Sequence, residues 1–151
     1  MKLAEQTALL ARMQRLEDIM EIQRLLVDYG RHLDARDLHA YSRLFCEDGE
    51  WSGATGTAVG PDAIQAMLEA DLPGNPPAPG ETTWHVMANP VIDLDGDRAS
   101  THVMWVLLRR NAGEQPGIAV TGHYEDLLAR EGGRWRFKRR LAFVDIGKPI
   151  E

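Results

Sequence analysis

Three side chains able to move a proton between them set the chemical question. Tyr29 and Asp34 lie in "DYGRHLDARDLHAYSRLFCEDGEW", residues 28–51, and His85 lies in "TTWHVMANPV", about fifty residues on. An imidazole whose one ring nitrogen is held by a carboxylate keeps a fixed tautomer. Its other nitrogen is then free as a base, and the imidazolium that forms is stabilised. A carboxylate alone, with an ordinary pKa of about 4, is a feeble base at neutral pH. Each residue also has a purely structural reading. Asp34 would cap the turn that ends a helix, His85 would be a hydrogen-bonded strand histidine, and Tyr29 an amphipathic core phenol.

Other chemistries find less support. Cys46 is the single cysteine, which rules out an intrachain disulfide and a thiolate metal cluster within one chain. His32, His39, His102 and His123 show no His-x-x-x-His spacing, so no metal site is expected. Neither a glycine-rich phosphate loop nor a nucleophile elbow is present. No cofactor is expected.

The elements that must position these residues follow from periodicity. Leu16, Ile19, Ile22, Leu26, Tyr29 and Leu33 recur at three and four, predicting a helix from about residue 5 or 12 to about 33. Asp37 reads as the N-cap of a second short helix whose face carries Leu38, Tyr41, Leu44 and Phe45. A short strand is expected near Trp51. Pro61 suits the first position of a third helix reaching about Asp71. Residues 73–80, "PGNPPAPG", read as a loop. Residues 82–94, 99–110, 117–129 and 134–146 are rich in β-branched and aromatic residues and separated by turn signals, so they predict four long antiparallel strands. The expected class is α+β in a single domain, three helices packed on one face of a strongly curved sheet around a cavity. Alternation puts Thr83, His85 and Met87 on one strand face and Trp84, Val86 and Ala88 on the other.

Composition limits the partners. With 44% hydrophobic and 26% charged residues the chain reads as an ordinary globular protein. A formal net charge of −6 argues against nucleic-acid binding, and the basic run Arg134–Arg140 reads as mostly solvated strand face. By alternation Arg140 shares the exposed side with Arg136 and Lys138 unless a bulge intervenes. The N-terminus lacks the continuous apolar segment of a signal peptide, and nothing approaches the roughly 20 apolar residues of a membrane span. A cytoplasmic protein is expected, with a small-molecule substrate and no membrane partner. Val, Met and Trp on the back of the sheet suggest a homo-oligomer, dimer or trimer.

The order of elements and the stretches "LDARDLHAYSRLFCEDGEW", "GPDAIQAML", "TWHVMANPVIDLDGDRA" and "GHYEDLLAREGGRWRFKRR" together resemble the SnoaL-like branch of the nuclear-transport-factor-2-like (NTF2-like), cone-shaped superfamily, over about residues 12 to 146. Within it the chain is similar to scytalone dehydratase, bile-acid 7α-dehydratase and the hexachlorocyclohexane dehydrochlorinase group. That resemblance implies proton abstraction from carbon with loss of water or halide. Asp34 and His85 would be the catalytic dyad, with Tyr29 polarising a carbonyl or leaving group and Arg140 stabilising developing charge. It also turns Val103, Trp105 and Leu107 inward, as wall residues with Trp51, and puts His102 on the opposite face. The bile-acid enzyme's acid on the second long strand is missing, since Trp105 and Leu107 stand there, and its later Arg is replaced by Val144. The carboxylate base of a ketosteroid isomerase is missing near Ser52 and Gly53. The function implied is a cofactor-independent lyase or isomerase acting on a small hydrophobic cyclic or aromatic compound. The alternative is a non-catalytic module such as the small subunit of a ring-hydroxylating dioxygenase, which shares a similar His-x-x-x-Asn pattern, here His85 and Asn89.

Overall fold

The computed structural model describes residues 2–72 and 78–147, so part of the expected loop, residues 73–77, lies outside the described residues. Helix α1 (Leu3–Asp34) starts earlier than expected, with the Glu5 carboxylate accepting a hydrogen bond from the Lys2 backbone N–H at 2.9 Å. Its buried stripe is Ile22, Leu25, Leu26, Tyr29 and Leu33. Leu16, expected on that stripe, is 61% exposed, and residues 2–17 are exposed throughout. At about 1.5 Å per residue, those first turns run some 24 Å beyond the sheet, so their apolar residues meet no core.

Helix α2 (Leu38–Ser42) is capped as read, with Asp37 Oδ1 accepting from the Ala40 N–H at 3.0 Å. It stops short of Phe45 because the backbone there is taken by the sheet. The Leu44 carbonyl accepts from the Phe137 N–H at 2.9 Å, and Phe45 starts strand β1 (Phe45–Gly53). β1 folds back on β2 (Gly56–Val59), a strand without a strong local signal. Helix α3 (Pro61–Asp71) follows Gly60, whose φ of 86° suits a glycine, and Pro61 occupies its first turn.

The remaining strands, β3 (Thr82–Asp95), β4 (Arg98–Arg110), β5 (Gly117–Glu131) and β6 (Arg134–Ile146), form the expected antiparallel meander. Among the described residues the strands form one six-stranded sheet in the order β2-β1-β6-β5-β4-β3, with β1 parallel to β6. β3 and β2 are its edges, and α1 packs along β3 and β6. Between helix and sheet the core joins Ile22, Leu26 and Tyr29 to Val103, Tyr124, Leu128 and Phe137. Full burial of each aliphatic side chain there contributes about 1.5–3 kcal/mol. Toward the end of the sheet where Leu107 lies, the packing opens into a cavity of about 240 Å³, whose walls include Tyr29, Trp51, His85, Trp105 and Leu107.

Candidate active site

Asp34 ends α1, where the aligned carbonyl dipoles disfavour a negative charge. Its carboxylate is instead engaged by β3. Oδ1 lies 2.6 Å from His85 Nδ1, and Oδ2 accepts from the His85 backbone N–H at 2.8 Å. The two-point contact selects the tautomer in which Nδ1 carries the proton and donates it to Asp34. Nε2 then holds a lone pair, and His85 lines the cavity. Asp34 stands behind the imidazole rather than on the cavity wall.

Gly30 lets β3 come this close to the helix. A Cβ at that position would fall 2.9 Å from the His85 carbonyl oxygen and 3.3 Å from its Cβ. Thr83 and Met87 share the inward side of β3 with His85, while Trp84 is 62% exposed on the other face.

Tyr29 is buried and lines the cavity, its hydroxyl accepting from Trp51 Nε1–H at 2.9 Å. The phenols of Tyr41 and Tyr124 also interact with it. Burial, reinforced by Tyr29, pushes both of those phenols well above the ordinary value, so they are neutral.

Arg140 faces inward against simple alternation. In the β5–β6 ladder Leu128 pairs with Phe137 and Leu127 with Arg139, which leaves Lys138 as an extra residue. This bulge exposes Lys138 and Arg139 in succession and turns Arg140 into the core, where it is 0% exposed. Its Nε and Nη2 donate to the two oxygens of Asp126 at 2.7 and 2.8 Å, and Thr101 Oγ1 donates to the same carboxylate at 2.6 Å. The guanidinium lies 4.1 Å from the ring centroid of Tyr29 and 3.9 Å from that of Tyr124. Burial alone would lower its pKa, but Asp126 more than offsets this and raises it, so the charge persists. Arg140 therefore sits behind the tyrosines, not on the cavity wall.

Of the expected wall residues, Trp51, Trp105 and Leu107 line the cavity. Val103 does not. It is one inward position deeper on β4, where Tyr124 pairs with it and the core is filled. The resemblance alone did not single out Thr83, Tyr41 and Tyr124, which also line the cavity, or Asp126, which anchors Arg140. The signal was present in β5, where Gly122, Tyr124, Asp126 and Leu128 alternate inward and bring a carboxylate into an apolar row. His102 lies on the opposite face as expected, stacked on His123 with ring centroids 5.0 Å apart. Among the described residues no three His, Cys, Asp or Glu side chains converge as a metal site, and no helix is long and apolar enough to cross a membrane.

Comparison with known proteins identifies the family and the fold. The SnoaL-like domain model matches residues 14–141. An uncharacterized protein of Mycobacterium tuberculosis is 30% identical over 129 residues, covering 83% of this chain and 84% of its own. An NTF2-like protein with a cystatin-like fold from Novosphingobium aromaticivorans superposes with a TM-score of 0.78 at 28% identity, over 94% of this chain and 91% of that one. A protein from the same organism, provisionally described as a scytalone dehydratase, gives 0.72 at 29% identity over 87% of each chain. The β subunit of a provisionally described aromatic-ring-hydroxylating dioxygenase, again from that organism, gives 0.73 at 18% identity over 90% of this chain and 94% of that one, which is a likeness of fold. The fold is NTF2-like, and the chain belongs to the SnoaL-like domain family.

Proposed function

We propose that the protein is a lyase or isomerase that removes a proton from carbon in a small, hydrophobic, cyclic or aromatic molecule. His85 is the base and Asp34 its orienting partner. The observation that carries this reading is the two-point grip of Asp34 on His85, which leaves Nε2 as the basic nitrogen of a side chain lining an apolar cavity. The chemistry needs only a base, a carboxylate that stabilises the imidazolium, and donors for the substrate's polar atom. A volume of about 240 Å³ suits one or two fused rings. Arg140 acts through Tyr29 and Tyr124, holding positive charge behind their rings.

The test is exchange and elimination in D2O with a panel of cyclic ketones and hydroxylated hydroaromatic ketones, followed by NMR. The wild-type protein is expected to exchange the carbon-bound proton or eliminate water from at least one compound, and His85→Ala to do neither. Full activity in both His85→Ala and Asp34→Asn would sink the dyad.

A second reading, a non-catalytic subunit of a larger assembly, is favoured by the outer sheet face, where Trp84, Ile118 and Phe143 are exposed. The same face fits self-association. A stable stoichiometric complex with a larger iron-containing chain supports the subunit reading, whereas a homo-oligomer active on the panel supports the enzyme.

A further inference from the structure

Helix α1 carries a second apolar stripe, which nothing among the described residues covers. Leu9, Met13, Leu16 and Met20 are between 44% and 68% exposed, on a helix whose first turns run beyond the sheet. Their spacing is four, three and four. Gln6 extends the row by three residues at one end, and Gln23 and Val27 extend it by three and then four at the other, all of them exposed. A three-four alternation sustained over three heptads is the seam of a coiled coil, narrower than the face a globular core requires. Singly exposed leucines need no explanation, but a continuous row of them does. An unpacked helix of about 15 residues is also only marginally stable in water, so these turns need a partner.

The root of this segment is fixed so that the stripe points away from the sheet. Asp18 is buried and accepts from Arg130 Nη2 at 2.5 Å and from the Trp135 indole N–H at 3.1 Å, while Glu21 accepts from the Trp135 backbone N–H at 2.9 Å. Arg130 is held in turn by Asp97 at 3.0 Å. Asp18 is two residues from both Leu16 and Met20, or about 200° around the helix at about 100° per residue. The sheet therefore holds one side of α1 and the stripe occupies the other. Two copies can join along it with their sheets on the outside.

We propose that this stripe pairs with the same stripe of a second copy of the chain, as a parallel two-stranded coiled coil along the N-terminal half of α1. With Met13 and Met20 at heptad position a and Leu9 and Leu16 at d, like residues meet across a two-fold axis. The flanks choose the direction. Arg12 falls at g and Glu17, five residues on, at e, which is the g-to-e contact of parallel helices, so Arg12 faces the partner's Glu17. In an antiparallel pair g meets g and e meets e, which would set Arg12 against the partner's Ile19 and Glu17 against the partner's Leu10. Arg12 and Glu17 have no hydrogen-bond or ion-pair partner among the described residues. Exposed ion pairs contribute little to affinity, so the apolar seam supplies the attraction and the charges set the orientation. Glu5, Arg12, Glu17 and Arg24 at the flanks also suit two strands, in which e and g stay at the edge of the solvent. This surface is separate from the cavity and from the outer sheet face, and does not depend on the chemistry of His85.

The test is sedimentation equilibrium of the full chain, which is expected to show monomer and dimer in exchange. Met13→Glu combined with Leu16→Glu is expected to weaken the dimer at least about 100-fold, because each copy then carries two charges into the seam. Neither side chain belongs to the core, so the near-ultraviolet circular dichroism should not change. Arg12→Glu is expected to weaken association about 3- to 10-fold by opposing like charges, and Arg12→Glu with Glu17→Arg to restore it. Under mild oxidation Leu9→Cys is expected to give a disulfide-linked dimer, and Ala11→Cys, on the far side of the helix, to give none. Cys46 is buried and serves as the internal control. A wild-type protein that stays monomeric at high micromolar concentration, whether or not it sediments with anionic lipid vesicles, overturns the proposal. So does a trimer, a dimer that survives the Met13→Glu and Leu16→Glu changes, or a Leu9→Cys protein that cross-links no faster than Ala11→Cys.

Discussion

Asp34 grips His85 through the ring and the backbone at once, at 2.6 Å to Nδ1 and 2.8 Å from the N–H, so one carboxylate fixes both the strand and the imidazole it carries. Asparagine keeps the size of that contact but inverts its hydrogen bonding. With its oxygen facing the backbone N–H, the amide NH2 meets Nδ1, which must then accept, and the proton moves to Nε2. Asp34→Asn is therefore expected to stay folded and lose turnover by roughly 10²- to 10⁴-fold. The 15N shifts of the His85 ring check this without a substrate, since the protonated nitrogen should change from Nδ1 to Nε2. An unchanged tautomer sinks the argument.

Gly30 sits inside a helix, where alanine would ordinarily stabilise by about 1 kcal/mol. Here the added Cβ would press on the His85 carbonyl at 2.9 Å, and overpacking of this kind costs about 1–3 kcal/mol. The two effects largely oppose each other in stability, but only one acts on the dyad. Gly30→Ala is expected to shift the urea midpoint slightly while lowering turnover at least about tenfold, because near-ångström displacements of a positioned base have effects of that size or greater. Unaltered turnover would show that β3 can retreat without disturbing Asp34.

Much of this arrangement is legible in the sequence. The four long strands and the third helix lie within about two residues of their periodicity, because alternation and turn residues are local signals. The pairing of Asp34 with His85 came from resemblance, since nothing local links residues fifty positions apart. What escaped was non-local. The parallel β1–β6 pairing depends on the distant chain around Phe137, and the same pairing ends α2 before Phe45. Leu16 has helical spacing but no sheet beneath it. The inward turn of Arg140 needs the extra residue Lys138, and a bulge is visible only once two strands are set side by side.

Arg140 and Asp126 form a fully buried pair, and such pairs are hard to break from one side. Arg140→Met leaves the Asp126 carboxylate with only the Thr101 hydroxyl, and is expected to lower unfolding stability by about 3–5 kcal/mol. Adding Asp126→Leu removes the stranded charge. The double variant is expected to be more stable than the sum of the two single losses predicts, by at least about 1 kcal/mol. Urea unfolding of the four proteins checks this, and simple additivity would mean that the pair is not energetically coupled.

Alkaline pH acts on the core through groups whose neutral forms are favoured by folding. Burial, with Glu131 nearby, pushes the Cys46 thiol from 9.0 up to about 11, and burial raises the Tyr41 and Tyr124 phenols well above 10.0. Below pH 9 these groups are largely protonated in both states and stability does not change through them. Above it the unfolded chain loses its thiol proton first and its phenol protons near pH 10, while the native protein keeps them. The unfolded state then binds fewer protons, so stability falls as pH rises. The urea midpoint is expected to be flat from pH 7.5 to 8.5 and to fall steadily from pH 9 to 11. The tyrosinate absorbance of the folded protein at pH 10 should meanwhile be unchanged in Tyr41→Phe and in Tyr124→Phe, since neither phenol ionises there. A midpoint that holds constant to pH 11, or a native tyrosinate signal at pH 10 that drops in either variant, would place Tyr41 and Tyr124 in water rather than in the buried cavity wall.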